Sequence, residues 1–153
     1  MKVVQSSTIT MSVFIWIGFI GAISFMESWL KFSAPGVTIP IGLGIGRLVF
    51  GMLNIVEWIL VILIFATMLY QKQSFSLKNN SLLYLPILLL ILQTSWLLPA
   101  LDTRAQMYID GLIDAENSQR SYNHFIYAGM EVIKVACLTV YGWRLFKTIK
   151  RQN

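Results

Sequence analysis

Four long apolar runs constrain what this chain can fold into. Each run is long enough to cross the roughly 30 Å hydrocarbon core of a bilayer as an α-helix, and polar connectors separate the runs. Apolar runs of this length predict transmembrane helices. We therefore predict an all-α integral membrane four-helix bundle that forms a single domain over residues 1–153, with spans at 9–30, 43–70, 82–101 and 125–146.

Composition and the rare residue types exclude several classes of function. Charged residues make up 12% of the chain and the mean hydropathy is +0.67, whereas soluble domains contain about 25% charged residues. The single cysteine, Cys137, excludes an intramolecular disulfide and a thiolate zinc site. The single histidine, His124, excludes a bis-histidine haem within one chain. We expect no metal and no cofactor.

The basic residues carry the topology signal of the predicted spans. The formal net charge is +5, but the lysines and arginines are not clustered as a nucleic-acid surface requires. Seven of them lie on the side of both termini and four on the other side, so the positive-inside rule predicts cytoplasmic termini and a multi-pass protein of the inner (cytoplasmic) membrane. The seven are Lys2, Lys72, Lys78, Arg144, Lys147, Lys150 and Arg151, and the four are Lys31, Arg47, Arg104 and Arg120.

The long connector after the third run contains a further helical pattern. Its apolar residues recur at helical spacing from Ala105 to Ile113. They predict a short amphipathic helix, which either lies on the outer surface or continues the third span beyond Pro99. The third run itself is almost entirely Leu and Ile, and we expect it to face lipid.

Two triplets of polar residues lie inside the apolar runs at matching spacing. In each triplet the second and third members follow the first by seven and ten residues. At about 100° per residue, each triplet lies within an arc of about 80° on one helix face. The triplets are Arg47, Asn54 and Glu57 in the second run and His124, Glu131 and Lys134 in the fourth.

The deeper members of the two triplets predict a buried ion pair. An ionised residue near the bilayer centre costs at least about 2.5–3.5 kcal/mol, so such residues face the bundle interior and pair there. If the two polar faces meet, Glu57 pairs with Lys134 and Asn54 contacts Glu131.

The shallower members predict a second polar layer nearer the outer surface. This layer contains Arg47 and His124, and Glu27 at the end of the first run joins it. Arg47 and the nearby Lys31 are also candidates to hold an anion or a lipid headgroup at the start of the second helix.

Three interpretations of these polar residues remain open. They can be a structural device that fixes helix register, a site for a small solute or an ion on a path through the membrane, or a catalytic site. No serine or cysteine nucleophile lies beside a plausible base. This absence favours a protein that is not an enzyme.

Several segments resemble the small four-span family that includes transmembrane protein 205. The likeness lies in "FMESWLKFSAPGVT" after the first span, in "GLGIGRLVF" at the start of the second span, in "WLLPALDTRAQM" and in "YNHFIYAGMEVIK". The resemblance implies a four-helix membrane bundle whose substrate is not known.

The second run is also similar to the membrane-associated proteins of eicosanoid and glutathione metabolism. Its Arg47, Asn54 and Glu57 have the spacing of residues that help bind glutathione between the subunits of a trimer in that family. The position of the family's second arginine is Phe50 here, and Arg104 can stand in for a later arginine. This resemblance implies a glutathione-dependent transferase or isomerase.

We predict a membrane protein with a buried polar site that handles a small solute or an ion, or that acts as an assembly partner. The alternatives are the glutathione-dependent enzyme and a purely structural membrane subunit. Membrane lipids are expected partners, together with further copies of the chain or the other subunits of a membrane complex. The candidate site residues are Glu27, Arg47, Asn54, Glu57, Arg104, His124, Glu131 and Lys134.

Overall fold

The computed structural model describes the backbone of residues 2–71, 77–112 and 122–152, and the side chains of residues 7–71, 80–112 and 122–148. Nearly all of these residues are helical. The α-helices are α1 (Lys2–Ile20), α2 (Ser28–Leu30), α3 (Ile39–Tyr70), α4 (Leu77–Leu92), α5 (Leu98–Ile109) and α6 (Tyr122–Gln152). Two π-helical turns, Gly21–Glu27 and Gln93–Leu97, join α1 to α2 and α4 to α5.

Four helical segments are long and apolar enough to cross a membrane, which confirms the prediction of an all-α protein built from four such helices. Most of their large apolar side chains point outward, as at Leu48 and Ile62, which suits contact with lipid. The first segment is Ser7–Ser33, the second Ile39–Tyr70, the third Asn80–Ile109 and the fourth Tyr122–Thr148.

The third segment extends beyond the predicted end of its span. Pro99 lies in the first turn of α5, directly after the π-helical turn, and the residues before it keep a helical backbone. The chain therefore continues as a helix to Ile109, and α5 packs against α3 with Ala105 buried. Of the two alternatives for this region, the structure has the continuation of the third span. Ile113, the last residue of the predicted pattern, lies outside the described residues.

The four segments pack around a core that runs along the bundle. The fourth segment contacts the first and the third through α1 and α4, while α3 contacts α1 and α5. Helix α1 turns one face inward at spacings of three and four residues. The core contains Ile9, Val13, Trp16, Ile20, Leu60, Val61, Ile64, Met68, Leu83, Leu90, Leu138 and Tyr141.

A short connection positions the start of the second segment. Gly36 has a φ of +82°, a conformation that suits glycine, and Thr38 is extended just before α3 begins. The Phe32 ring lies so close to Gly42 that a side chain there has no room, and the Lys31 amine lies 2.7 Å from where a Cβ of Gly46 would be. These glycines let the side chains of Phe32 and Lys31 lie flat against α3.

Candidate functional site

A buried group of polar side chains connects all four segments near the middle of the bundle. We call it the charged cluster. Three hydrogen bonds join side chains of different segments: Trp16 to Glu57, Lys134 to Glu57, and Gln93 to Glu131. The charged cluster contains Trp16 from the first segment, Glu57 from the second, Gln93 from the third, and Glu131 and Lys134 from the fourth.

The ion pair between Glu57 and Lys134 is the centre of this cluster. The Lys134 Nζ donates to Glu57 Oε1 over 2.5 Å, and Trp16 Nε1 donates to the same oxygen over 2.7 Å. The Lys134 and Glu57 side chains are 0% and 1% exposed. The predicted contact between these two residues is present, and Trp16 is an additional partner.

A second carboxylate shares the same lysine. The Lys134 Nζ lies 3.0 Å from Glu131 Oε1, three residues earlier on α6. Gln93 Nε2 donates to that oxygen over 2.9 Å from the π-helical turn of the third segment. The structure therefore has two buried carboxylates around one buried ammonium group.

Three oxygen atoms of the charged cluster lack a hydrogen-bond partner among the described residues. They are the second carboxylate oxygens, Glu57 Oε2 and Glu131 Oε2, and the amide oxygen Gln93 Oε1. All three are acceptors when the carboxyl groups are ionised. Buried acceptors of this kind normally have a donor, so the cluster has room for at least one more hydrogen.

The predicted contact between Asn54 and Glu131 is wrong. Asn54 Nδ2 donates to Thr94 Oγ1 over 2.8 Å, and Gln93 takes the place beside Glu131. Three residues correspond to about 300° on an α-helix, so Asn54 points about 60° away from Glu57. This rotation directs Asn54 to the third segment, whereas Glu57 faces the fourth.

The third segment is largely exposed, as expected of a helix that faces lipid, but it also contributes polar side chains to the interior. Gln93 is 1% exposed, and the adjacent Thr94 accepts hydrogen bonds from Asn54 and from Trp58 Nε1, the latter over 3.0 Å. Successive residues of the π-helical turn thus face two different neighbours, the fourth and the second segment. π-helical turns are rare and often occur at functional sites.

A cavity of about 590 Å³ lies beside the charged cluster, toward the connection that precedes α3. The end of the bundle that contains it is called the cavity end here. The cavity wall combines polar groups with large apolar side chains. Its lining consists of Ser28, Lys31, Phe32, Leu43, Gly46, Arg47, Phe50, Gly51, Asn54, Thr94, Leu98, Pro99, Leu101, Asp102, Ala105 and His124.

Two cationic side chains of the cavity wall are held by nearby acceptors. Arg47 donates through Nε to Asp102 and through Nη1 to Gln106. The Lys31 ammonium lies 3.3 Å from the Glu27 carboxylate. It also lies 5.5 Å from the centre of the Phe32 ring and 5.3 Å from that of Phe50, in the geometry of a cation–π contact.

The predicted second polar layer is distributed around this cavity. Arg47 and His124 line it, and Glu27 lies behind Lys31. Arg104 is elsewhere: its guanidinium group lies 5.9 Å from the centre of the Tyr108 ring on α5. Of the residues named by the glutathione resemblance, Arg47 and Asn54 line the cavity, whereas Glu57 belongs to the charged cluster.

A thin wall separates the cavity from the charged cluster. Tyr127, which is buried, lies beside Glu131 and Ser24, and its ring packs edge-to-face on Phe50 with centroids 5.2 Å apart. Phe50 faces the cavity, as do Asn54 and Thr94. Phe50 therefore lies on the cavity wall, and Tyr127 connects it to Glu131.

Sequence reasoning missed Trp16, Gln93 and Asp102. Gln93 could have been predicted from the sequence. An amide within a run of Leu and Ile needs a hydrogen-bond partner in lipid, as a charged residue does. Trp16 had none, since a tryptophan in an apolar run is expected at an interface with the headgroups. In the part of the chain that the structure describes, no group of three His, Cys, Asp or Glu side chains could hold a metal ion.

Comparisons of the chain with protein-family models, with curated proteins and with solved structures find no match.

Proposed function

We propose that this protein is a multi-pass membrane protein that binds and releases a proton at the charged cluster. The observation that supports this function is the shared lysine: Lys134 Nζ lies 2.5 Å from Glu57 Oε1 and 3.0 Å from Glu131 Oε1. All three side chains are excluded from solvent. Ionisable residues inside a membrane commonly lie on proton or ion paths.

The charge balance of the cluster requires one proton beyond that of the lysine. Two ionised carboxylates and one ammonium group sum to a net charge of −1. A net charge buried away from water costs several kcal/mol even after relaxation, and neither Trp16 nor Gln93 brings a charge. The cluster is neutral when Glu57 and Glu131 hold one proton between them.

The oxygens without a donor give this proton a place. A proton on Glu57 Oε2 or Glu131 Oε2 converts one of those acceptors into a donor. Tyr127 is the remaining titratable group beside Glu131, and its hydroxyl can accept a hydrogen bond as well as donate one.

A purely structural role does not account for the second carboxylate. One glutamate and one lysine already form a neutral pair that fixes helix register. Adding Glu131 to the Glu57–Lys134 pair introduces an acid that must be neutralised again. A proton site needs such an acid, because the group must be able to gain and lose a charge.

We propose that the proton enters and leaves from the side of the cavity. Asn54 lies one helical turn from Glu57, and Thr94 is adjacent to Gln93. Both side chains line the cavity and are hydrogen-bonded to each other. They place polar groups on the cavity wall close in the chain to Glu57 and Gln93.

Infrared spectroscopy of the full-length protein in lipid nanodiscs tests this function. A protonated carboxyl group has a carbonyl band that an ionised carboxylate lacks. We expect the band at neutral pH, a shift of the band in D₂O, and its loss in both Glu131→Gln and Glu57→Gln. Each of these variants keeps one acid and one lysine, so the cluster stays neutral and the fold is retained. Asp102→Asn, at the partly exposed pair with Arg47, is the matched control that keeps the band.

Two results contradict the proposal. A folded wild-type protein without the carbonyl band at neutral pH has no such proton. A band that persists in D₂O without shifting belongs to a proton that does not exchange, which is a structural group and not a site of proton handling.

The orientation proposed with this function places both termini in the cytoplasm. It is supported by the seven basic residues on the terminal side against four on the other. The cavity then opens toward the opposite side of an inner (cytoplasmic) membrane. Lipid contact and association with further copies of the chain or with other subunits stay predictions.

A further inference from the structure

We infer that the cavity at the cavity end binds a small amphiphile that has an acidic head and a single apolar chain. The cavity is a different site from the charged cluster, since none of Glu57, Glu131 and Lys134 lines it. The inference therefore goes beyond proton binding and does not need it.

The size of the cavity sets the size class of its occupant. Sites for small organic molecules measure about 300–1,000 Å³, and this cavity measures about 590 Å³. A single-chain amphiphile fits within that volume. A two-chain lipid can place only its headgroup or a part of one chain there.

The polar part of the wall offers more hydrogen-bond donors than acceptors. A lysine has three N–H donors and an arginine five. Arg47 uses its Nε and Nη1 groups for Asp102 and Gln106, and Lys31 has one carboxylate at 3.3 Å. The remaining N–H groups include Nη2 of Arg47. They match the oxygens of a carboxylate or a phosphate, which accepts hydrogen bonds and donates none when ionised.

The formal charges around the cavity nearly cancel, so they neither exclude an anion nor require one. The wall contains two cations, Lys31 and Arg47, against one carboxylate, Asp102. Glu27 lies behind Lys31 and makes the wider surroundings neutral when His124 is neutral. Because there is no excess of positive charge, the acidic head is held by hydrogen bonds from Lys31 and Arg47. His124, which faces the same cavity, can add a third donor.

The rest of the wall recognises an apolar body. Phe32 and Phe50 lie beside the Lys31 amine, while Leu43, Leu98 and Leu101 contribute aliphatic surface. Burial of apolar surface favours binding roughly in proportion to the area removed from water. A free inorganic anion uses none of this surface, so an apolar chain attached to the acidic head is the better match.

Isothermal titration of decanoate into the full-length protein in phosphatidylcholine nanodiscs tests the inference. Decanol, which has the same chain and no charge, is the matched ligand. We expect decanoate to bind at least about tenfold more tightly than decanol, because an ionised carboxylate accepts stronger hydrogen bonds than a neutral hydroxyl group does. Empty nanodiscs give the heat of partitioning into lipid.

A cavity-filling variant shows where decanoate binds. Gly51 lines the cavity, and a Cβ added there meets nothing within 4 Å. Gly51→Leu therefore fills the cavity without a clash at the backbone, and we expect decanoate binding to fall by more than about tenfold. Gly18→Leu is the matched control: Gly18 is exposed on α1, has the same free space and does not line the cavity. It should bind decanoate as the wild type does.

A charge-neutral double variant tests the acidic head. In Glu27→Gln with Lys31→Met both partners of the ion pair leave together, so no unpaired charge remains to destabilise the fold. We expect decanoate to bind about tenfold more weakly and decanol binding to stay unchanged. A melting curve for each variant shows that it is folded.

The source of the ligand is decided by competition. Displacement of decanoate when lysophosphatidylglycerol, an acidic lipid with one chain, is added to the nanodiscs supports the inference and identifies a membrane lipid as the source of the acidic head. Retention of decanoate in the presence of lysophosphatidylglycerol supports a free amphiphile.

Three results overturn the inference. The first is that decanol binds as tightly as decanoate. The second is that the Gly51→Leu variant binds decanoate as the wild type does. The third is that inorganic phosphate or glutathione displaces decanoate at equal concentration. Neither has an apolar chain, so this result would show that the cavity recognises polar ligands.

Discussion

The second segment takes part in two ion pairs that lie a few turns apart. They differ in their exposure to solvent and in the groups that surround them. Glu57 and Lys134 are 1% and 0% exposed, whereas Arg47 and Asp102 are 34% and 52% exposed. The buried pair has a second acid, an indole donor and an amide donor around it. The exposed pair shares its arginine with the amide of Gln106.

This difference shows how burial changes the role of an ion pair. A partly exposed pair can lose one partner to water at little cost, and such pairs contribute about 0–1 kcal/mol. A buried pair cannot, because the remaining charge stays in a medium that does not solvate it. Removal of one charge from the buried cluster therefore requires a proton in its place, whereas the pair at the cavity end can lose a partner to water.

The largest expected effect is the loss of the lysine from the charged cluster. Lys134→Met leaves Glu57 and Glu131 without their shared cation. We expect the free energy of unfolding to fall by about 3–5 kcal/mol, the range for breaking a buried pair. Unfolding in mixed micelles with increasing dodecyl sulfate, followed by circular dichroism, measures it.

The control is Glu57→Gln with Lys134→Met, which removes both charges and leaves one acid that can hold a proton. It should recover more than half of the lost stability. If the double variant is as unstable as Lys134→Met alone, the lysine stabilises the fold through its packing and not through its charge.

A smaller effect is expected at Thr94, which connects the second and third segments. Thr94→Val keeps the shape of the side chain but removes the acceptor for Asn54 and Trp58. Hydrogen bonds between membrane helices contribute on average about 0.6 kcal/mol and at most about 1.7 kcal/mol, so the loss should lie in that range per bond.

Ser95→Ala is the matched control for that substitution. Ser95 is exposed and its hydroxyl donates only to the carbonyl of Ile91 on its own helix. The same unfolding titration should show a change within about 0.5 kcal/mol. Equal losses at both positions would mean that Thr94 does not connect the segments.

The smallest effect is expected at the exposed pair. Arg47→Gln removes the cationic partner of Asp102. Both side chains reach solvent, so the free energy of unfolding should change by about 0–1 kcal/mol. Comparison of this variant with Lys134→Met in the same titration measures the contrast between the two regions. A loss as large as that of Lys134→Met would show that the cavity end is as closed to water as the cluster.

The sequence was sufficient for the four long helices and for the Glu57–Lys134 contact. Length and apolar composition identify the helices, and the cost of a lone charge in an apolar run requires a partner. The matching offsets in the second and fourth segments placed the two residues at the same depth. Both inferences depend only on the composition of each apolar run and on the spacing of residues within it.

The partners supplied by the first and third segments could not be derived in this way. The π-helical turn at Gln93–Leu97 changes the direction of the side chains that follow it, so α-helical periodicity does not predict which of them face inward. The 60° between Asn54 and Glu57 has a similar effect: a shared polar face does not imply a shared neighbour. Trp16 carries no charge, and its role depends on a contact 41 residues away.

The placement of both Glu131 and Lys134 on α6 has a consequence for the order of assembly. These two side chains lie one turn apart and neutralise each other within a single helix, so α6 can insert without an outside partner. Glu57 precedes Lys134 by 77 positions and is synthesised well before that helix. In the membrane that we propose, Glu57 enters as the uncharged acid. When the last helix arrives with its neutral Glu131–Lys134 pair, the proton that Glu57 carried is the one that the two carboxyl groups then share.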